Sequence, residues 1–138
     1  MSYWLVKSEP STYSIDDLKK DGRTSWNGVR NYQARNFMRD GMKKGDLVLF
    51  YHSNAEPPGV AGICKIVKEG YLEERPSWMM VDVEFVEKFK HFVTLDELKA
   101  DKKILGMLVV KRGTRLSVQP VGRPHFDEVV RLGRKSVL

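Results

Sequence analysis

The pattern of apolar and polar positions divides the chain into short strand-like segments. Apolar or aromatic runs cover Tyr3–Val6, Asp46–Tyr51 and Val60–Val67, and each is short and bounded by turn residues, as strands are. From Trp78 to Lys88 apolar residues alternate with polar ones, which predicts a strand with one face in water. A last strand is predicted over Leu116–Pro120. The chain therefore has five or six predicted strands.

Helix-capping signals lie between these strands. Ser14 and Thr94 each precede an acidic residue by three positions, the spacing of a capping box. Asn31 is predicted to cap a helix over Tyr32–Arg39, and Pro124 begins a C-terminal helix. Short helices among five or six strands predict the α+β class, with a small, mixed, curved sheet or open barrel.

Composition limits the class of protein. A chain of 138 residues fits one domain, residues 1–138, and can bury a core without disulfides. Lys and Arg number 24 against 18 Asp and Glu, and the net charge of +6 favours a polyanionic partner. The single cysteine, Cys64, excludes internal disulfides and multi-cysteine zinc sites. The N-terminus has no signal-peptide pattern, so we expect a cytoplasmic protein with no membrane association.

The segment from Ser25 to Tyr51 combines an aromatic residue, arginines and amides before a buried strand. Trp26, Arg30 and Asn31 are the residue types that read a nucleobase, because a base stacks on an aromatic face while polar groups satisfy its edge. The alternative is that Trp26 belongs to the core and the asparagines form turns and caps. Composition alone favours that alternative.

Two ionisable residues follow strands and are weaker candidates. His52 could act as an acid or base only with an oriented partner, and His91 and His125 are not spaced to share a metal with it. Lining a pocket or making a structural hydrogen bond is the more ordinary role for His52. Glu9 could accept a hydrogen bond from the amino group of a base. The sequence has no phosphate-binding glycine loop, nucleophile elbow or zinc motif, and we predict no cofactor and no metal.

Basic residues cluster in the segment after Trp26 and twice in the C-terminal part of the chain, at Lys111, Arg112 and Arg115 and at Arg131, Arg134 and Lys135. Such clusters either neutralise phosphates or are simply solvated faces. We predict phosphate contacts from Arg35, Arg112 and Arg115.

Several long phrases, taken together and in order, resemble the EVE domain. They are the segments 3–10 (YWLVKSEP), 26–36 (WNGVRNYQARN), 45–53 (GDLVLFYHS), 59–62 (GVAG) and 115–120 (RLSVQP). The resemblance implies a PUA-like open β-barrel with flanking helices, related to the YTH domains that read methylated adenine in RNA. It also implies a pocket for a flipped, modified base, with modified cytosine in DNA as the best-supported ligand.

Transferred position by position, the resemblance implies a pocket built from four segments. Its ligand-binding residues would be Lys7, Ser8, Glu9, Trp26, Val29, Arg30, Asn31, Tyr51, His52, Ser53, Leu116, Ser117 and Gln119. The chain differs from the family between Gly70 and Arg75, where other members carry a longer insertion. We expect this shortening to affect ligand preference and the affinity for nucleic acid more than the fold.

The expected function is therefore a non-enzymatic reader that binds nucleic acid carrying a modified base, with DNA favoured over RNA. An RNA-binding PUA-like module is one alternative. An enzyme acting on modified nucleotides, with Glu9 or His52 as acid or base, is the other.

Overall fold

A computed structural model describes residues 1–27, 29–72, 78–111 and 116–135. In these residues six strands form one mixed sheet in the order β2-β5-β4-β3-β1-β6. The strands are β1 (Tyr3–Ser8), β2 (Arg23–Trp26), β3 (Leu47–His52), β4 (Gly59–Leu72), β5 (Met79–Thr94) and β6 (Val118–Val121). The α-helices are α1 (Ile15–Asp21), α2 (Tyr32–Asn36), α3 (Leu95–Ala100) and α4 (Arg123–Gly133). The predicted α+β class and mixed open sheet are confirmed.

The pairing of β1 with β3 places two strand ends side by side. These strands are parallel, with Lys7 opposite Tyr51 and Ser8 opposite His52. β6 runs antiparallel along the other edge of β1. The segments that leave β1 and β3 and the segment that enters β6 therefore meet at one end of the sheet.

The sheet curves strongly. The pairing of β4 with β5 shifts register four times, and such bulges bend a strand and increase its twist. Although β5 and β4 lie between β2 and β3 in the sheet order, the rings of Trp26 and Phe50 are 5.5 Å apart and edge to face. In the described residues β2 and β6 are the two edges of this curled sheet, which is an open barrel.

The core divides between the two faces of the sheet. Val6 and Phe50 belong to a cluster that also holds Leu18 of α1 and Ala34 of α2. On the other face, α3 and α4 cover a second cluster, in which Val129 of α4 is fully buried. Side chains alternate along a strand, so neighbouring residues of β1 and β3 serve opposite clusters.

The helix caps agree with the predictions. Ser14 and Thr94 form complete capping boxes with Asp17 and Glu97. The side-chain oxygen of Asn31 accepts a hydrogen bond from the Ala34 N–H at 3.0 Å. Each cap satisfies backbone donors that the first helical turn leaves unpaired.

The helix predicted over Tyr32–Arg39 is α-helical only to Asn36 and ends in a π-helical turn over Phe37–Gly41. In this wider turn the Met42 N–H donates to the Phe37 carbonyl at 2.8 Å. Gly41 packs directly on the Trp4 indole, and a Cβ there would lie 2.7 Å from the ring. The turn therefore fits against the core only with glycine at its end.

Four strands differ from the sequence predictions, and two of them, β4 (Gly59–Leu72) and β5 (Met79–Thr94), are longer than predicted. The sequence pattern does not predict β2, because Arg23–Trp26 is short and mostly polar and lies at the sheet edge. The last strand is Val118–Val121, and Leu116 and Ser117 precede it. The differences in β2 and β6 both lie in edge strands of the sheet, where a strand gives way to a loop.

Candidate functional site

A cleft of about 590 Å³ opens where the curled sheet brings β2 close to β1. This volume lies in the range of small-molecule sites, about 300–1,000 Å³. Its lining comes from the end of β1, the turn after it, β2 and its following loop, and the residue before β6. The lining residues are Lys7, Ser8, Glu9, Thr12, Tyr13, Thr24, Ser25, Trp26, Asn27, Val29, Arg30 and Ser117.

Backbone hydrogen bonds hold the segments around the cleft. The Lys7 N–H donates to the Ser117 carbonyl at 2.9 Å, which joins β1 to the segment before β6. The Ser53 N–H donates to the Ser8 carbonyl at 3.0 Å, which joins β1 to the segment after β3. The Glu9 carbonyl accepts from the N–H groups of Thr12 and Tyr13, both at 2.9 Å. The cleft is thus built on fixed strand ends.

Trp26 is positioned as a rigid aromatic wall. It is the last residue of β2 and pairs with Val81 of β5. Its ring meets Phe50 edge to face and packs on the core, yet the residue is only partly buried and lines the cleft. Trp26 therefore belongs in part to the core, and its contact with a nucleobase stays a prediction.

Lys7 and Glu9 carry opposite charges and both line the cleft. Lys7 is half-buried, and burial lowers the pKa of its ammonium group. Its Nζ lies 5.9 Å from the centre of the Tyr51 ring, and no carboxylate of the described residues is within 4.0 Å of it. Glu9 is exposed at the rim. A ligand with a hydrogen-bond acceptor beside a donor would match this pair.

The turn after β1 forms a second polar wall. The Ser8 hydroxyl donates to the Tyr13 carbonyl at 2.6 Å, and the Tyr13 hydroxyl donates to the Asp21 carboxylate at 2.8 Å. Burial, together with the hydrogen bond to Asp21, raises the pKa of Tyr13 to about 12. Tyr13 therefore stays a neutral phenol. Because the Ser8 hydroxyl uses its hydrogen to bond the Tyr13 carbonyl, its oxygen lone pairs remain as hydrogen-bond acceptors.

His52 has a structural hydrogen bond rather than a place in the cleft lining. Its Nε2 accepts a hydrogen bond from the Ile15 N–H at 3.1 Å, at the first residue of α1. The ring also lies against Phe50 and Phe92. Burial lowers the pKa of His52, so the neutral imidazole is favoured. This acceptor role connects the end of β3 to the start of α1.

Five other predicted site residues also lie outside the cleft lining: Asn31, Tyr51, Ser53, Leu116 and Gln119. Asn31 caps α2, and Gln119 is buried with its amide donating to the Leu116 carbonyl at 2.8 Å. Tyr51 is buried in the second core cluster. These residues shape the loops that surround the cleft.

Five lining residues are absent from the sequence prediction: Thr12, Tyr13, Thr24, Ser25 and Asn27. In β2 the partly buried Thr24 and Trp26 alternate with the exposed Arg23 and Ser25. This alternation is the only period-two signal for the strand. Asn27 directly follows Trp26. Had β2 been recognised in the sequence, Thr24, Ser25 and Asn27 would have been predicted to lie at a strand end.

The predicted phosphate contacts have different outcomes. Arg35 lies on α2, with its guanidinium carbon 4.8 Å from the centre of the Tyr32 ring. Arg112 and Arg115 lie outside the described residues, as do Gly28 and the end of the shortened loop between Gly70 and Arg75.

Other chemistry-bearing groups lie away from the cleft. Cys64 is fully buried, and burial raises its pKa well above the ordinary value. In the described part of the chain no three His, Cys, Asp or Glu residues are grouped to hold a metal ion. No helix there is long and apolar enough to cross a membrane.

The EVE-domain family model matches residues 2–132, nearly the whole chain. The chain belongs to the EVE-domain family. Human thymocyte nuclear protein 1 is 43% identical to this EVE domain, over 97% of this chain and 75% of the human protein. The alignment covers 169 positions, more than the 138 residues of this chain, so the human relative carries insertions that this EVE domain lacks.

Solved structures agree with this assignment. A Pseudomonas syringae protein superimposes with a TM-score of 0.90 at 40% identity, covering 95% of this EVE domain and 99% of that protein. Human THYN1 protein in complex with 5-methylcytosine-containing DNA superimposes with a TM-score of 0.89 at 41% identity, covering 99% of both chains. The predicted EVE, PUA-like fold is thereby confirmed.

Proposed function

We propose that this EVE-domain protein is a non-enzymatic reader of DNA that takes a flipped, modified cytosine into the cleft. The observation that carries the proposal is the position of Trp26, whose ring is fixed by Phe50 and lines an open cleft beside polar strand ends. A flipped base needs an aromatic or apolar surface to stack on and polar groups at its edge. The human relative bound to 5-methylcytosine-containing DNA supports this ligand class.

The polar lining complements the edge of cytosine. Cytosine presents an amino group that donates, and a ring nitrogen and carbonyl oxygen that accept. The Glu9 carboxylate would accept from the amino group, while the Lys7 ammonium would donate to the acceptors. The Ser117 hydroxyl, which also lines the cleft, can either accept a hydrogen bond from the amino group or donate one to the acceptors.

The modification would contact an apolar part of the lining. Val29 is buried in the core and also contributes to the cleft. An apolar side chain of this kind would contact the 5-methyl group of the modified cytosine, as apolar residues contact the methyl group of thymine. The same cleft would accept unmodified cytosine more weakly.

Contacts at His52 argue against its use as a catalytic base. The Nε2 lone pair already accepts the Ile15 N–H. Proton abstraction from a ligand would need that atom, so an enzyme at this site would have to rely on Glu9 or Lys7.

The test is a comparison of duplexes that differ in one base. Fluorescence anisotropy would measure binding to labelled duplexes carrying cytosine or 5-methylcytosine, and to the matching RNA. We expect the methylated duplex to bind more tightly than the other two. Equal affinity for both DNA duplexes would refute reading of the modification, and tighter RNA binding would favour the RNA-binding alternative. Mass spectrometry of the same mixtures would reveal an enzyme as a new product.

A matched pair of lysine variants tests the cleft. Lys7→Met removes the half-buried ammonium, and Lys99→Met removes an exposed one on α3, away from the residues that line the cleft. Loss of a charged hydrogen bond predicts about tenfold or more weaker binding for Lys7→Met. Lys99→Met should bind as the wild type does. Equal effects of the two changes would show general electrostatic attraction instead of a contact in the cleft.

A further inference from the structure

Beside the cleft, two aromatic rings and two guanidinium groups contact one another in series. The rings of Trp78 and Tyr32 are 5.0 Å apart at 26°, a stacked arrangement. The guanidinium carbon of Arg30 lies 5.1 Å from the Trp78 ring centre, and that of Arg35 lies 4.8 Å from the Tyr32 ring centre. We call these four residues the aromatic-arginine column.

The column adjoins the cleft. Arg30 belongs to both, because it lines the cleft and also covers the Trp78 ring. Trp78 directly precedes β5, three residues before Val81, which pairs with Trp26. A strand whose base enters the cleft would therefore pass its neighbouring nucleotides close to the column.

Packing explains only part of the column. Trp78 is half-buried, and the stack connects α2 to the start of β5. Tyr32, in contrast, is 61% exposed and is one of the few large apolar side chains of the described residues that face water. An exposed ring contributes little buried area to the fold, whereas exposed aromatic groups next to a binding site commonly form part of it.

The chemistry of the column matches single nucleotides. Aromatic faces stack any base, and arginine adds both cation-π contact and attraction to phosphate. Two guanidinium groups at this surface add to a chain of net charge +6. The complementary partner is a polyanion with flat, unpaired bases.

We propose that the aromatic-arginine column is a second nucleic-acid contact, which stacks a nucleotide next to the flipped one and attracts its phosphate. This inference rests on the proposed function, because the cleft must hold the flipped base. The column then binds independently of the modification and increases affinity without changing base preference.

Two ring variants test the stacking. Tyr32→Ala removes the exposed ring, Tyr32→Phe keeps it, and Leu105→Ala removes a similarly exposed apolar side chain elsewhere. We expect Tyr32→Ala to weaken binding of the 5-methylcytosine duplex about 5- to 150-fold, as for the loss of one stacked base. The other two variants should bind as the wild type does. The affinity ratio between methylated and unmethylated duplexes should stay the same in all of them.

Salt dependence tests the phosphate contact. Arg35→Gln should lower the slope of log K against log salt concentration by about 0.9, the effect of one phosphate contact. Arg123→Gln on α4, whose side chain is 76% exposed, should leave the slope unchanged.

The outcomes separate this inference from the proposed function. If the wild type prefers the methylated duplex and Tyr32→Ala binds it equally well, the column is only structural and the cleft proposal stands. A lower melting temperature of Tyr32→Ala with unchanged affinity would likewise show that the column is only structural. If the wild type shows no preference for the methylated duplex, the proposed function fails and the inference fails with it.

Discussion

Replacement of Trp26 by alanine should affect binding and stability by separate mechanisms, and both effects can be estimated. In the proposed complex the indole stacks on the flipped base. Loss of one base-aromatic stack costs about 1–3 kcal/mol, so the dissociation constant for the methylated duplex should rise about 5- to 150-fold.

The stability effect follows from the partial burial of Trp26 and its contact with Phe50. A buried aromatic side chain covers about 150–250 Å², and Trp26, most of whose side chain is buried, covers about 150 Å². At about 25 cal/mol per Å², its loss destabilises the protein by about 4 kcal/mol. For a chain of 138 residues this lowers the melting temperature by roughly 12–16 °C.

The assay must keep the variant folded. Calorimetry gives the melting temperature, and anisotropy titrations well below it give the affinity. Trp26→Phe is the control, because phenylalanine keeps an aromatic face and much of the contact with Phe50. We expect it to retain most of both the stability and the affinity. A folded Trp26→Ala protein with wild-type affinity for methylated DNA would refute the stacking role.

Three further changes test the site and its support. Glu9→Gln neutralises the acceptor proposed for the cytosine amino group and should weaken methylated-duplex binding severalfold in anisotropy titrations, with an unchanged melting temperature because Glu9 is exposed. Asp46→Ala leaves the buried Trp4 indole N–H without its acceptor at 2.9 Å, and urea unfolding should show a loss of about 2–4 kcal/mol. His52 has a folded-state pKa below the ordinary 6.5, so its contribution to stability is complete above pH 6.5 and decreases as pH falls through the folded value. His52→Gln keeps an acceptor for Ile15 without a titrating ring, and its urea midpoint should change less between pH 7 and pH 5 than that of the wild type.

The strand framework could be predicted because its signals are local. The apolar run of β3 and the alternation in β5 reflect burial directly, and Ser14 and Thr94 cap their helices within three residues of sequence. The lengths of β4 and β5 could not be predicted in the same way. The end of β4 is polar and largely exposed and pairs with the start of β5 across register shifts, whereas the end of β5 buries Phe89 and Val93 in the second core cluster between polar residues that interrupt the pattern.

The candidate site was harder to predict because its residue types also satisfy backbone groups. Asn31, His52 and Gln119 are all suited to contact a base edge, yet each makes a hydrogen bond to a backbone group at a loop or a helix start. Loops at the end of an open barrel have many unpaired backbone groups that need such partners. Sequence can identify the motif, but only the backbone path separates residues that face a ligand from residues that hold a loop.

The segment after β2 shows why this division matters for function. Trp26 lines the cleft, Val29 is buried at its wall, and Arg30 bridges from the cleft to Trp78. Asn31 then caps α2, so the next residue, Tyr32, stands in the exposed column. Because the cap at Asn31 fixes the start of α2, it also fixes the position of Tyr32 relative to the cleft. In the proposed complex this one short segment would present a stacking face to the flipped base and a second one to its neighbour, with Asn31 setting the spacing between them.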